Sequence, residues 1–369
     1  MIELIIKQIE FTENGYRIHW YADDKKDLFS ISPLEISFDF QPSQNLIYPV
    51  NNFLAFTLPV LANEYKKVKV VTDYSLADRV QDYWQQALHA LNIENFDILW
   101  QDRNTSRNYD AKSTETTATQ QHIGLLFGGG VESTFALSKL YSRKPILISV
   151  ISQGWMNNNL PVYTVKRNLE DELVSAFGLQ LQRVTSNAFS LLKKPDLYKN
   201  YYTTGFLFYW HSLPICRQFS VHTVYKASEL EEALNFEGQD LSLHPRFLKN
   251  IEFGNEPLFL PLYNCYSKIQ MLAELAKTPF IKYIYSCLNN TDRKWCGQCS
   301  KCYRISEFCH RLGIEKALIG MPEGFIGLRE TGPISRNYWQ IMDRLYGRRY
   351  FRELLHYLKY HSKKNRNYS

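Results

Sequence analysis

The chain of 369 residues is long enough for one large domain or two ordinary ones. Hydrophobic residues make up 45% and charged residues 22%, which excludes a disordered chain and predicts a packed core. No apolar run approaches the ~18 residues of a membrane span, the start MIELIIKQIEF carries no signal-peptide pattern, and a net charge of +6 is too mild to single out nucleic acid as a partner. A cytoplasmic protein with no membrane contact is the expectation.

In chain order, IELIIKQIEF and YRIHWYA alternate apolar and polar residues around ENG, predicting two strands in a hairpin. FSISPLEISFDF adds a third alternating segment, and VKVVTDYSL a fourth. LADRVQDYWQQALHALNI has apolar residues at helical spacing. Residues 1–101 are expected to form a small α+β domain. The polar stretch 102–120, DRNTSRNYDAKSTETTATQ, cannot bury a core and is expected to be a linker.

After it, HIGLLFGGGVESTFALSKLYSR predicts strand, glycine turn and helix. KPILISVIS, LQLQRVTS and SVHTVYKAS predict further strands, and LPVYTVKRNLEDELVSAFG a helix between them. Strands alternating with helices argue for an α/β fold with a parallel sheet over residues 121–330. GFLFYWHSLPICRQFS predicts a mainly buried helix, so His211 is expected to be packed rather than catalytic. The last segment, 331–369, interleaves Arg and Lys with Tyr and predicts a helix with a solvated basic tail in preference to a nucleic-acid patch.

Two clusters carry chemistry. Gly128, Gly129 and Gly130 follow an apolar strand, and Ser133 and Thr134 open the next helix. Glycines let backbone N–H groups approach an oxyanion, and a helix N-terminus adds aligned donors. The same turn serves simple packing in other α/β proteins. It is neither a Walker A loop nor a dinucleotide fingerprint. The second cluster is SCLNNTDRKWCGQCSKC, with Cys287, Cys296, Cys299 and Cys302 spaced C-x8-C-x2-C-x2-C. Four thiolates suit a closed tetrahedral Zn2+ site. Gly297 permits the sharp turn, and Arg293, Lys294, Lys301 and Arg304 partly offset the charge of four thiolates. Cys309 is expected to be a packed thiol. Lys226 and Glu229, just past a strand, and Arg246, in a loop beside His244, are weaker site candidates.

The glycine segment resembles the S-G-G-x-D-S signature of PP-loop ATP pyrophosphatases. Gly128 stands at its Ser, Gly129 and Gly130 match, Glu132 replaces Asp, and Ser133 matches. The cysteine spacing C-x8-C-G-x-C-x2-C resembles the zinc motif of the 7-cyano-7-deazaguanine synthases. EPLFLPLYNCYSKIQMLAELA resembles their P-L-x(n)-K-x-E segment, with Lys268 at the lysine and Gln270 in place of the acid. The resemblance spans residues from about 122 to 312.

The resemblance implies a Rossmann-like PP-loop domain that binds ATP with Mg2+ and holds a structural Zn2+. It implies a nucleotide site at Gly128, Gly129, Gly130, Val131, Glu132, Ser133, Thr134 and Ser152, with Lys268, Glu132 and Ser133 in catalytic roles. It implies adenylation of a deazaguanine carboxylate followed by amide formation. The family's D-Y-G-Q turn is absent, the nearest match being Ser152, Gln153 and Gly154. The extra N-terminal segment resembles synthase-like proteins of bacterial anti-phage defence operons, implying a partner protein that presents the amine. Four alternatives stay open: a free synthase using ammonia, a PP-loop enzyme for another carboxylate, an inactive nucleotide-binding scaffold, and a tRNA-modifying enzyme. A homodimer is allowed.

Overall fold

A computed structural model describes residues 1–74, 78–90, 96–102, 122–152, 160–193, 201–227, 257–262, 266–287, 294–297 and 299–322. The N-terminal segment supplies β1 (Ile2–Thr12), β2 (Gly15–Ala22), β3 (Leu34–Phe38), α1 (Ile47–Glu64), β4 (Lys67–Thr72), α2 (Asp78–Ala90) and β5 (Asp97–Asp102). Then come β6 (His122–Leu126), α3 (Val131–Leu140), β7 (Ile146–Ser152), α4 (Leu160–Phe177), β8 (Gln180–Ser186), α5 (Tyr201–Gln218), β9 (Val221–Ala227) and β10 (Leu258–Leu262). Two further helices follow, α6 (Lys268–Leu275) and α7 (Ser300–Leu312). Residues 331–369, with the basic tail, lie outside the described residues, as do Glu229, His244 and Arg246.

All ten strands form one sheet in the order β10-β9-β6-β7-β8-β3-β2-β1-β4-β5. The strands from β10 to β8 are mutually parallel. The N-terminal strands join through an antiparallel seam, where Ile36 pairs with Ser186 and Phe38 with Val184. The fold is therefore α/β with a mostly parallel sheet. The two sequence segments meet in backbone hydrogen bonds at this seam.

Period-2 alternation divides the side chains between two cores. On β6, Ile123 and Leu125 face one core while Leu126 faces the other. On β7, Leu147 takes the first side and Ile146 and Ile148 the second. One core packs α3, α6 and α7 against the sheet, with α4 lending Leu173. The other packs α1, α2 and α5. Helix α1 is buried from Tyr48 to Ala62, as an apolar sequence on all sides requires.

Two networks pair buried polar groups, while His211 Nε2, Tyr285 Oη and Ser306 Oγ are buried without a hydrogen-bond partner among the described residues. Glu170 of α4 accepts from Ser149 Oγ of β7 at 2.7 Å and from Arg183 Nε of β8 at 3.0 Å, with Lys166 Nζ at 3.4 Å. This network clamps α4 to the sheet. On the other side, Asn52 Nδ2 donates to Tyr16 Oη at 2.6 Å and to the Tyr48 carbonyl at 2.9 Å. Its Oδ1 accepts from His211 Nδ1. His211 is fully buried, so it is the packed histidine expected from its apolar run.

Burial lowers the His211 imidazole from the usual 6.5 to about 3. Between those values the unfolded chain binds a proton that the folded chain refuses, so stability falls on acidification. From pH 7 to pH 5 this residue alone should remove about 2 kcal/mol. Urea unfolding at the two pH values checks it. His211→Gln should show a correspondingly smaller loss.

Candidate functional site

The parallel strands reverse direction of growth at β6. Its neighbours are β7 on one side and β9 on the other. The connection β6–α3–β7 packs in one core and the return through α5 in the opposite one. A crevice beyond the carboxyl end of β6 follows from that topology, and this is where open α/β sheets bind ligands. The glycine loop occupies it.

Gly129 has φ +75°, a left-handed conformation that favours glycine. Gly130 caps α3 in an extended conformation with no side-chain cap bond, and the Glu132 carboxylate accepts from its own backbone N–H in the first turn. A Cβ on Gly130 would lie 3.1 Å from Glu132 Oε2, whereas one on Gly128 would meet none of the described residues within 4 Å. Ser133 and Thr134 are buried at the helix start, their hydroxyls turned back toward the carbonyls of Gly130 (3.3 Å) and Gly129 (3.5 Å).

Lys268 is brought to this loop by the start of α6. Ser267 caps that helix, accepting from the Gln270 N–H at 3.4 Å, while Gln270 Oε1 accepts from the Ser267 N–H at 2.8 Å. Gln270 therefore completes a capping box. Lys268 Nζ lies 2.5 Å from Glu132 Oε1, with side chains 8% and 25% exposed. Burial pushes the Glu132 carboxyl up, but Lys268 outweighs it and, with Arg304 adding, holds the group at about 2. Burial, with the Lys268 charge behind it, lowers Lys301 to about 8. Three cationic side chains, Lys268, Lys301 and Arg304, thus gather around one carboxylate.

The cysteine cluster forms beside this group. The sulfurs of Cys287, Cys296, Cys299 and Cys302 all lie within 4.8 Å of one another. Backbone N–H groups point at them, from Cys296 to Cys287 Sγ (3.4 Å), Cys299 to Cys296 Sγ (3.3 Å) and Cys302 to Cys299 Sγ (3.4 Å). Gly297, at φ +74°, makes the turn between. Without a cation two of the thiols, Cys287 and Cys302, resist ionisation. The hydrogen bond to Cys299 and burial push Cys287 up to about 12, and bonds to Cys287 and Cys299 push Cys302 higher. A divalent cation reverses that balance, so a four-sulfur set of this geometry fits a metal such as zinc. Cys309, on α7, is buried outside the set.

Cluster and loop are joined directly. The Tyr285 N–H donates to the Gly129 carbonyl at 2.6 Å, two residues before Cys287. Ser286 Oγ would be 3.7 Å from a Cβ on Gly130. Sequence reasoning missed Tyr285 and Ser286, because no motif marks a residue that acts through its backbone. The structure brings together residues 128–134, Lys268 and the four cysteines. Ser152 ends β7 at the same carboxyl edge, paired with Ser186. Gln153 and Gly154 lie outside the described residues. Lys226 is half-buried on β9, paired with Leu126 at the end of β6.

The site is thus defined as a glycine-lined helix start, a lysine–glutamate pair and a four-thiol cluster on an α/β sheet. No helix among the described residues is long and apolar enough to cross a membrane. No protein-family model matches the chain, and neither the curated proteins nor the solved structures return a match.

Metal analysis of protein purified without chelator should find about one zinc per chain, since four thiolates complete a tetrahedral shell. Cys299→Ser should lower that content and the melting temperature by several degrees. Wild-type protein well below one metal per chain would contradict the assignment.

Proposed function

We propose that this chain is an ATP-dependent ligase of the PP-loop class. It adenylates a deazaguanine carboxylate and transfers the acyl group to an amine, with the N-terminus of a partner protein as acceptor. The observation that carries the reading is the Lys268–Glu132 pair at the helix start beyond β6. It sets a cation beside a glycine loop where a Cβ on Gly128 would meet none of the described residues within 4 Å.

The chemistry asks little covalent work of the protein. A carboxylate oxygen attacks the α-phosphorus of ATP, the bond to the β-phosphate oxygen breaks, and pyrophosphate leaves. The amine nitrogen then attacks the acyl carbon, AMP leaves with the bridging oxygen, and the nitrogen gives up its proton to water. The α3 N–H groups and Ser133 would hold the departing pyrophosphate, and Lys268 would stabilise charge on the transferring phosphate. Glu132, kept ionised, is the residue that would hold Mg2+, whose role is to neutralise phosphate charge. Catalysis is positioning and electrostatics, consistent with a site whose thiols are committed to a metal set.

Pyrophosphate release from ATP and Mg2+, with and without 7-carboxy-7-deazaguanine, tests the reading. Release should depend on the acid and fall about tenfold or more in Ser133→Ala. Gly128→Ser should fold normally, because a Cβ there meets none of the described residues within 4 Å. Its hydroxyl adds a phosphate donor and should raise the rate severalfold. Acid-independent or undetectable release in all three proteins would overturn the assignment.

A further inference from the structure

A second recess, of about 400 Å³, opens at the opposite edge of the sheet, where β6, β7, β8 and β9 begin. Its rim carries His122, Arg143, Lys144 and His222. Among the described residues no carboxylate lines it, and its lining, with Ile123, Ile146 and Leu179 as the apolar members, is more polar than apolar. It lies the length of β6 away from the glycine loop, five residues or ~16 Å.

The backbone departs from regularity at this place. Along β6 and β9 the register moves from His122↔Val221 to Ile123↔Thr223, so His222 is an inserted bulge residue. Bulges re-aim a side chain and are frequent beside binding sites. The described residues include three non-glycine positions with positive φ, and two of them flank the recess. One is Lys144 (φ 47°), on the rim. The other is Ser220 (φ 50°), whose carbonyl accepts from the His122 N–H at 3.1 Å. Such strain concentrates at ligand sites.

The basic groups are held in place without being used up. Arg143 donates one bond to Tyr225 Oη at 3.2 Å and rests over that ring, leaving most guanidinium donors available. Lys144 Nζ is anchored by Tyr141 Oη at 3.0 Å and the Phe177 carbonyl at 2.7 Å. His222 Nδ1 meets Thr223 Oγ1 at 2.7 Å, which leaves Nε2 for another partner.

We propose that this recess binds a small phosphorylated ligand of nucleotide size, with its phosphates on the basic rim. The volume falls within the roughly 300–1,000 Å³ of small-molecule sites. A concave recess suits a compact ligand better than a nucleic-acid backbone, which calls for an extended basic stripe. The inference is independent of the reading of the glycine loop.

Calorimetric titration of the full chain with ADP tests it, on wild type, on the double variant Arg143→Gln/His222→Gln, and on Lys268→Met. The double variant should lose the recess site, with affinity there falling about tenfold or more, while Lys268→Met retains it. If the glycine loop binds no nucleotide, wild type shows one site, which the double variant still removes. Should the double variant melt early, His222→Glu at an exposed position gives the same reading by placing a carboxylate on the rim. An isotherm unchanged in the rim variants would overturn the proposal. So would a short RNA duplex binding through Arg143 and His222 where ADP does not bind.

Discussion

One hydrogen bond organises the candidate site, the 2.6 Å contact from the Tyr285 N–H to the Gly129 carbonyl. It ties the irregular segment leading into the cysteine cluster to the turn of the glycine loop. Gly129 sits in a left-handed conformation, and its carbonyl accepts from Tyr285. On the far side of the cluster, α7 starts at the third thiol and carries Lys301 and Arg304 toward Glu132. The segment that would hold the metal therefore supplies both a backbone brace and two of the cations.

The charge balance depends on the same arrangement. A buried carboxylate is costly unless paired, and Glu132 has Lys268 at 2.5 Å with Arg304 in support. The cations outnumber that acid, and four thiolates on a divalent metal would carry the remaining negative charge close by. The wider fold applies the same rule to buried polar groups. Glu170 is neutralised by Arg183 and Lys166, and Asn52 uses its amide on Tyr16, Tyr48 and His211. The Glu170 network joins the consecutive elements β7, α4 and β8, whereas Asn52 connects the N-terminal segment to α5.

Much of this was legible in the residues. The alternation of IELIIKQIEF and the apolar runs of β6 and β7 announced their strands, and the mixed segments of β8 and β9 followed as the next members of the series. The thiols followed from spacing alone, because C-x2-C-x2-C can wrap a single ion. Other features were hidden for definite reasons. Helix α1 is apolar on every side, so it shows no helical period, and its Pro59 reads as a breaker. β5 and β10 are short edge strands next to segments of mixed composition. The seam of β3 with β8 joins residues about 150 apart, and no local pattern encodes such a pairing. The capping role of Gln270 and the brace from Tyr285 depend on backbone geometry, which composition does not report.

Under the proposed function, the cysteine segment would hold the glycine loop in an anion-binding shape through the Tyr285 bond. The most direct measurement is ATP affinity by calorimetry, on protein as purified, stripped of zinc, and reloaded. The account predicts that stripping weakens ATP binding at least about tenfold and that zinc restores it. Unchanged ATP affinity in protein verified to be metal-free would contradict it.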